Sequence, residues 1–527
     1  IIPFSPESLL SGVGKRLLPG KRLWYRREFA FEKCKEGERL LLHFGAVDQH
    51  CSVYINGKKA GSHSGGYWPF YFDISGFLKD CENEIVVSVT DNTDTGDEAY
   101  GKQTLNSGEI WYTGQSGIWQ TVWAERVPET YIQSVKITPH FKNAEVELEL
   151  FMCGADSPHL TSNASVKIFD GEKAVAEGLF QNNSALVKMP DDFKSWSPKS
   201  PFLYDLEIKA ENDNIRSYFG MREFGILKGK AGPVLSLNGK PIFHHGLLDQ
   251  GYWSDGMYTP PSDEAMIWEI KTLKNMGFNM LRKHIKIEPL RWYYHCDRLG
   301  MLVWQDMVSG GGHYDIKVIS FPLVLGSFLK DNNEKAYVKF ARADKDERKQ
   351  WEKETEETVM HLFNCICIAM WVPFNEGWGQ FDSKRICEKI KALDSSRTID
   401  PVSGWHDQGS GDFKSLHVYF RPYHFKRDKL GRAVLLSEFG GYGMDMNTTA
   451  KKAFTYRRFR DRDSLTRAIV KLYEKQIMTA KRKGLAASIY TQVSDVEQEV
   501  NGLISYDRKS VKVNTEEMTA MSKKLLS

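Results

Sequence analysis

Eight apolar segments of strand length recur after residue 227, at 242–247, 278–283, 301–305, 367–374, 398–403, 416–419, 434–439 and 487–491. Amphipathic or charged stretches separate most of them, and those at 263–276 and 344–362 have the spacing of helices with one wet face. Near-continuous apolar strands fit a parallel sheet covered by helices. Eight strand–helix repeats in about 300 residues predict a (β/α)8 TIM barrel. Active sites of that fold lie at the C-terminal strand ends, so polar residues there are the first to inspect. The lysine- and glutamate-rich run 330–357 reads as a solvated loop and helix face, not as a binding patch.

The residues before the barrel have another pattern. From 1 to 126 they read as antiparallel β, with strand-like runs such as Leu40-Leu41-Leu42-His43-Phe44, Cys51-Ser52-Val53-Tyr54-Ile55 and Glu84-Ile85-Val86-Val87-Ser88-Val89. Asn56-Gly57 supplies a hairpin turn, because both residues tolerate positive φ. Ser116-Gly117-Ile118-Trp119-Gln120-Thr121-Val122-Trp123 alternates and is expected to form one last strand. From 127 to 226, period-two runs such as Val146-Glu147-Leu148-Glu149-Leu150 and Tyr204-Asp205-Leu206-Glu207-Ile208 predict an immunoglobulin-like β-sandwich. The expected domains are therefore 1–126, 127–226 and 227–527.

Two barrel strands end in glutamate. The fourth runs Ile368-Ala369-Met370-Trp371-Val372-Pro373-Phe374 into Asn375-Glu376-Gly377-Trp378. The seventh runs Val434-Leu435-Leu436-Ser437 into Glu438-Phe439-Gly440-Gly441. Carboxylates facing each other across one barrel mouth can flank a glycosidic bond. Acetal cleavage needs one carboxylic acid to protonate the leaving oxygen, and one carboxylate to attack or to stabilise the oxocarbenium-like centre. A separation of about 5–5.5 Å would specify retention through a covalent glycosyl-enzyme.

Composition bears on the partners mainly by exclusion. With 71 basic and 68 acidic residues the formal net charge is +3, which leaves no footprint for nucleic acid or an anionic membrane. No apolar run approaches the roughly 18 residues of a membrane span. Aromatic residues make up 12 % of the chain, with 14 Trp, a slight tilt toward sugar binding. The 8 cysteines lack paired metal spacing and read as buried free thiols, with Cys365 and Cys367 on one face of a strand. No motif asks for a metal or a cofactor. The chain begins Ile1-Ile2-Pro3, so its N-terminus and any signal peptide are expected to lie outside it. A periplasmic or secreted location and a cytoplasmic one both stay open.

At the two glutamates the chain resembles glycoside hydrolase family two, which includes β-galactosidases, β-glucuronidases and β-mannosidases. The likeness covers essentially the whole chain. Ser116-Gly117-Ile118-Trp119, Asn238-Gly239-Lys240-Pro241 and Cys296-Asp297-Arg298-Leu299-Gly300-Met301 occur in the family's order. The resemblance implies a sugar-binding-like jelly roll, an immunoglobulin-like sandwich and a TIM barrel. It implies Glu376 as acid/base and Glu438 as nucleophile, with Asn375 on the sugar 2-hydroxyl. It further implies Tyr419, His417, Arg282 and Trp405 as substrate-binding residues, and members that often form homo-oligomers. Arg282-Lys283-His284-Ile285 departs from the family's Arg-Ser-His-Tyr, and Val303-Trp304-Gln305-Asp306 looks more like the β-mannosidase branch. The acid that the family's jelly roll sends to the site has Glu109 as its candidate.

The β-glucuronidases of the family grip the substrate carboxylate with an Asn-x-Lys element ahead of a Gly corresponding to Gly502. Here Glu499-Val500-Asn501 stands there, and an anionic Glu499 would repel a uronate. The expectation is a retaining, exo-acting enzyme on a neutral β-hexoside, β-galactoside first, with a β-mannosidase-like or other neutral β-glycosidase activity, such as on β-glucoside, as the alternative. Gly-rich loop His63-Ser64-Gly65-Gly66-Tyr67 is expected to wall the mouth into a pocket. A carbohydrate-binding homologue without activity is the alternative from another class; such a protein would be expected to lack one of the two glutamates.

Overall fold

The computed structural model describes residues 1–154, 164–210, 212–320, 322, 329–444 and 453–527. The first module is a pair of antiparallel sheets. One has the order Leu23–Ala30, Glu82–Thr90, His50–Ile55, Lys58–Ser64; the other has Val122–Pro128, Glu38–Phe44, Phe70–Asp73. Alternation sets their faces: Cys51, Val53 and Ile55 are buried in the core between the sheets. Asn56 and Gly57 take φ of 52° and 77°, as the two-residue hairpin requires.

The single strand expected at 116–123 is two. Gly117–Ile118 pairs with Val47–Asp48, and Val122–Pro128 pairs with Glu38–Phe44. Trp119 breaks the run. Its indole is fully buried, donates to the Gly66 carbonyl at 2.8 Å and packs on Tyr258 of the barrel.

The second module sets a sheet of Tyr131–His140, Glu145–Cys153 and Ser184–Lys188 against one of Lys173–Leu179, Ser165–Asp170, Tyr204–Ala210 and Asp213–Phe219. Val146, Leu148 and Leu150 share a closed core with Val166, Ile168, Leu206 and Ile208. A one-residue slip would turn that whole face to water, at roughly 1.5–3 kcal/mol for each large side chain, so the alternation fixes the register.

The third module is the barrel. Its strands are β1 (His244–Asp249), β2 (Met280–Lys283), β3 (Leu302–Asp306), β4 (Ile368–Val372), β5 (Thr398–Ile399), β6 (Phe413–Val418), β7 (Ala433–Gly440) and β8 (Leu485–Thr491). They run parallel in the order β5-β4-β3-β2-β1-β8-β7-β6. At the β5–β6 edge the Asp412 N–H reaches the Ile399 carbonyl at 3.0 Å and joins the two ends of the sheet. Helix Asp263–Asn275 starts where the Ser262 side chain accepts from the Ala265 N–H, and Lys345–Leu362 starts where Asp344 accepts from Asp346 and Glu347.

All eight cysteines are free, but Cys81 is exposed and Cys34 and Cys153 are only half-buried, and Cys365 and Cys367 both precede β4 and share no strand face. Cys365 lies in the turn ahead of β4, where its N–H bonds the Leu362 carbonyl at 3.0 Å.

The loop at 63–67 packs between modules instead of walling the mouth. Tyr67 and Trp68 are large and mostly apolar, and they bury themselves against Tyr258 and the Lys345–Leu362 helix, with the Trp68 indole donating to Thr358 at 2.8 Å. The part of the first module that approaches the barrel mouth is the stretch from Ala99 to Thr113. It is pinned there by the Tyr100 and Gly101 N–H groups, which both donate to the Ser309 carbonyl, at 3.0 and 2.9 Å.

Candidate active site

Glu376 and Glu438 come from the ends of β4 and β7, as the apolar runs ahead of them require. Beyond β4 the chain turns sharply. Glu376 takes φ 50°, a left-handed conformation unusual for a side chain with a Cβ. The turn is held by the Glu376 N–H on the Ser403 carbonyl and the Trp378 N–H on the Asn375 carbonyl, both at 2.8 Å. On β7 the register against β6 shifts, so that Leu416 faces Leu436 but His417 faces Glu438. This bulge at Ser437 re-aims the glutamate, a common device beside active sites.

One imidazole lies between the two acids. His417 Nδ1 is 2.7 Å from Glu376 Oε1 and 3.5 Å from Glu438 Oε2. Taken with Nδ1, an oxygen of each carboxylate falls within 4.8 Å of the other. These donors also have the spacing of a three-ligand cation site, one that would tie up both acids.

Beneath them runs a hydroxyl chain. Ser437 Oγ donates to the Leu416 carbonyl and accepts from Ser403 Oγ at 2.9 Å. Ser403 has thereby used its proton, so its oxygen accepts from His417 Nε2–H at 2.8 Å. The Nδ1···Oε1 contact then holds a single proton shared between His417 and Glu376.

Arg282, at the end of β2, is fully buried and organises the other side. It forks onto Asp306 at 3.0 and 2.9 Å, and donates to Glu438 Oε1 at 3.0 Å and to Asn375 Oδ1 at 2.9 Å. Tyr419 donates to Glu438 Oε2 at 2.5 Å, and its ring stacks on Tyr456 with centroids 3.9 Å apart. The side-chain amide nitrogen of Asn375, Nδ2, is buried with no partner among the described residues. Trp405 packs its ring edge against His417 and bonds the Ile319 carbonyl at 3.1 Å.

The two acids are shifted in opposite directions. Burial raises the Glu376 carboxyl above its ordinary range, and the nearby Glu438 charge adds to that; His417 and Lys102 offset only part. Burial pushes Glu438 the same way, but His417, Arg282 and the Tyr419 hydroxyl outweigh it and hold this carboxyl below its ordinary range.

All seven residues singled out from the sequence, Glu376, Glu438, Asn375, Tyr419, His417, Arg282 and Trp405, thus meet at one mouth. Two others do not. Glu109 is exposed on a tight turn of the first module. Glu499 is buried behind Tyr112, whose hydroxyl bonds one carboxylate oxygen, while Asn501 bonds the other at 2.9 Å. Four further residues complete the mouth; Tyr456 and Lys102 had no sequence signal of their own, and His284 and Asp306 stood in the two segments compared with the family without being given a role. Asp306 holds Arg282, and His284 lies 2.8 Å from Asp306. Tyr456 backs Tyr419, and Lys102 arrives from the first module. Trp378, two residues past Glu376, ties them together: its ring meets those of His284, Trp111 and Tyr314.

Three family models match consecutive stretches: "Glycosyl hydrolases family 2, sugar binding domain" over residues 19–151, "Glycosyl hydrolases family 2" over 130–222, and "Glycosyl hydrolases family 2, TIM barrel domain" over 231–513. A putative beta-glucuronidase of Formosa agariphila is 29 % identical over 307 residues, covering 55 % of this chain and 36 % of its own. A beta-galactosidase of Thermoanaerobacter pseudethanolicus is 25 % identical over 396 residues, covering 72 % and 48 %. The chain thus spans between a third and a half of the length of these relatives. Among solved structures, a beta-glucuronidase of an uncultured Clostridium sp. superposes with TM-score 0.75 at 18 % identity, covering 99 % of this chain and 91 % of that one. A GH2 beta-galacturonidase of Eisenbergiella tayi superposes with TM-score 0.72 at 19 % identity, covering 99 % and 92 %. At such identities the superpositions establish the fold.

Proposed function

Since the chain belongs to glycosyl hydrolase family 2, and so to the glycosidases, we propose that it is a retaining, exo-acting β-glycoside hydrolase in which Glu438 is the nucleophile and Glu376 the acid/base. The observation that carries this reading is the contact between two carboxylates from β4 and β7, within 4.8 Å of each other through their nearer oxygens and shifted in opposite directions. Inverting enzymes keep their acids about 6.5–9.5 Å apart to seat a water between them.

In the first step Glu438 Oε attacks the anomeric carbon, and the bond to the leaving oxygen breaks. The proton shared by Glu376 and His417 passes to that oxygen. Arg282 and Tyr419 keep Glu438 ionised and oriented until then, and Asn375's free amide is placed to donate to a sugar hydroxyl. Formation of the glycosyl ester removes the Glu438 charge. The repulsion that raised Glu376 disappears, its affinity for a proton falls, and it can now take one from the water that cleaves the ester.

Trp111 and Tyr314 form one aromatic cluster with Trp378, two residues beyond Glu376, and the cluster supports a pocket that admits a chain end. The substrate is a terminal β-hexoside. β-Galactoside leads the neutral candidates, with β-mannoside and β-glucoside beside it. The argument against a uronide came from Glu499, and that carboxylate is engaged behind Tyr112, so the choice between neutral and anionic sugars rests on the other charges at the mouth.

Proton NMR of an aryl β-glycoside digest tests the mechanism. The β-anomer of the free sugar should appear first and then mutarotate. First appearance of the α-anomer would refute double displacement.

A further inference from the structure

Four lysines are buried among the described residues: Lys102, Lys283, Lys286 and Lys512. Three hold carboxylates. Lys283 bonds Asp249 at 2.7 Å and Glu288 at 2.8 Å, Lys286 bonds Glu288 at 2.9 Å, and Lys512 bonds Asp495 at 2.6 Å. Lys102, only 5 % exposed, forms no ion pair among the described residues. Its ammonium lies between two rings instead, 5.4 Å from the centre of Tyr112 and 5.7 Å from that of Trp378.

Its position is beside the two-glutamate site. Trp378 follows Glu376 by two residues and meets His284, which is bonded to the Asp306 that clamps Arg282. Lys102 is carried to this place by the strap that bonds Ser309. Gly101 allows the close approach: its φ is +66°, and a Cβ there would come within 3.0 Å of the Ile285 carbonyl and the Tyr258 hydroxyl. The side chain is mostly buried, its ammonium has no carboxylate partner among the described residues, and two ring faces replace only a fraction of the hydration given up. An oxyanion on the ligand would complete the pairing, and the ammonium offers it up to three donors.

We propose that Lys102 is a specificity-determining residue that reads an anionic substituent, a carboxylate or a sulfate, on the glycoside bound at this mouth. The proposal rests on the glycosidase reading above and gives it a substrate class: β-uronides or sulfated β-hexosides in place of the neutral sugars expected from Glu499.

The test uses matched pairs. Rates are measured for wild type and Lys102→Met on 4-nitrophenyl β-glucuronide against β-glucoside, β-galacturonide against β-galactoside, and β-galactoside 6-sulfate against β-galactoside. Wild type should favour the anionic member of at least one pair, and Lys102→Met should lower that preference ratio by roughly 10–100-fold, the loss of one charged hydrogen bond. Lys102→Arg should restore part of it. A uronide preference assigns the carboxylate; a preference for the ester alone assigns the sulfate.

Thermal shifts with free glucuronate, galacturonate, galactose 6-sulfate and their neutral counterparts give a readout independent of turnover. The anion should raise the melting temperature of wild type more than its neutral partner does, and this difference should vanish in Lys102→Met. Preference for the neutral member throughout, or a ratio and a shift difference that survive Lys102→Met, would overturn the proposal. If anion binding depends on Lys102 while the digest shows inversion, only the double-displacement reading falls.

Discussion

The ends of β4 and β7 place the same residue type in comparably enclosed positions, yet they produce opposite acids. Glu438 sits on a bulge with Arg282 on one oxygen and Tyr419 on the other. Glu376 sits on a left-handed turn with one partner, a histidine with which it shares a proton. Burial raises both carboxyls and His417 lowers both, so the difference comes from the remaining partners: Arg282 and the Tyr419 hydroxyl hold Glu438 down, while the Glu438 charge pushes Glu376 up. Division of labour between two identical side chains is thus written in residues from β2 and β6, far away in sequence.

Removing the nucleophile should break this comparison most completely. In Glu438→Gln an amide cannot form the glycosyl ester, and kcat/KM is expected to fall on the order of 10⁵-fold. In Glu438→Ala, added azide should fit the vacated space and yield the inverted glycosyl azide. Retention of most activity by Glu438→Gln would end the nucleophile assignment.

Glu376→Ala is expected to show a smaller and more selective loss. Substrates with poor leaving groups need the proton, and should slow by roughly 10²–10⁴-fold. Activated aryl glycosides, which leave unaided, should lose far less in the glycosylation step. Equal losses across a leaving-group series would count against the acid role.

The mildest change, His417→Ala, sharpens the comparison. His417 lowers both carboxyls, so its loss leaves burial and mutual repulsion to raise Glu376 further, and leaves Arg282 and Tyr419 to hold Glu438. Both limbs of the pH profile of kcat/KM should therefore move to higher pH, the alkaline limb following Glu376, with a maximal rate reduced by about 10-fold. An alkaline limb that stays in place would show that His417 does not share the proton.

Much of this site was legible in the sequence because β4 and β7 are near-continuous apolar runs that end abruptly in Asn-Glu and Ser-Glu. A buried parallel strand cannot hide a carboxylate midway, so the glutamate marks the mouth. Arg282 and Tyr419 were legible only through the family resemblance, which placed them at the ends of β2 and β6. Lys102 was not. It stands in Tyr100-Gly101-Lys102-Gln103, which has no period, and it gains its meaning from Trp378, a residue of another module. Glu499 failed in the opposite way. Sequence position put a negative charge in the pocket, but Tyr112, again from the first module, covers it. The strand expected at 116–123 failed because Trp119 serves the interface and not the sheet. Contacts within a module follow from local periodicity, whereas contacts between modules depend on which side chains the neighbouring surface can bury.

The central claim is the split between Glu438 and Glu376, and covalent trapping tests it most directly. An activated 2-deoxy-2-fluoro β-glycoside of the preferred sugar slows breakdown of the intermediate more than its formation, so the glycosyl-enzyme should accumulate and be seen by mass spectrometry of the digested protein. The account predicts one sugar on the peptide containing Leu436-Ser437-Glu438-Phe439, attached as an ester to Glu438. A sugar on Glu376, or burst-free turnover of the same reagent with no labelled peptide, would contradict it.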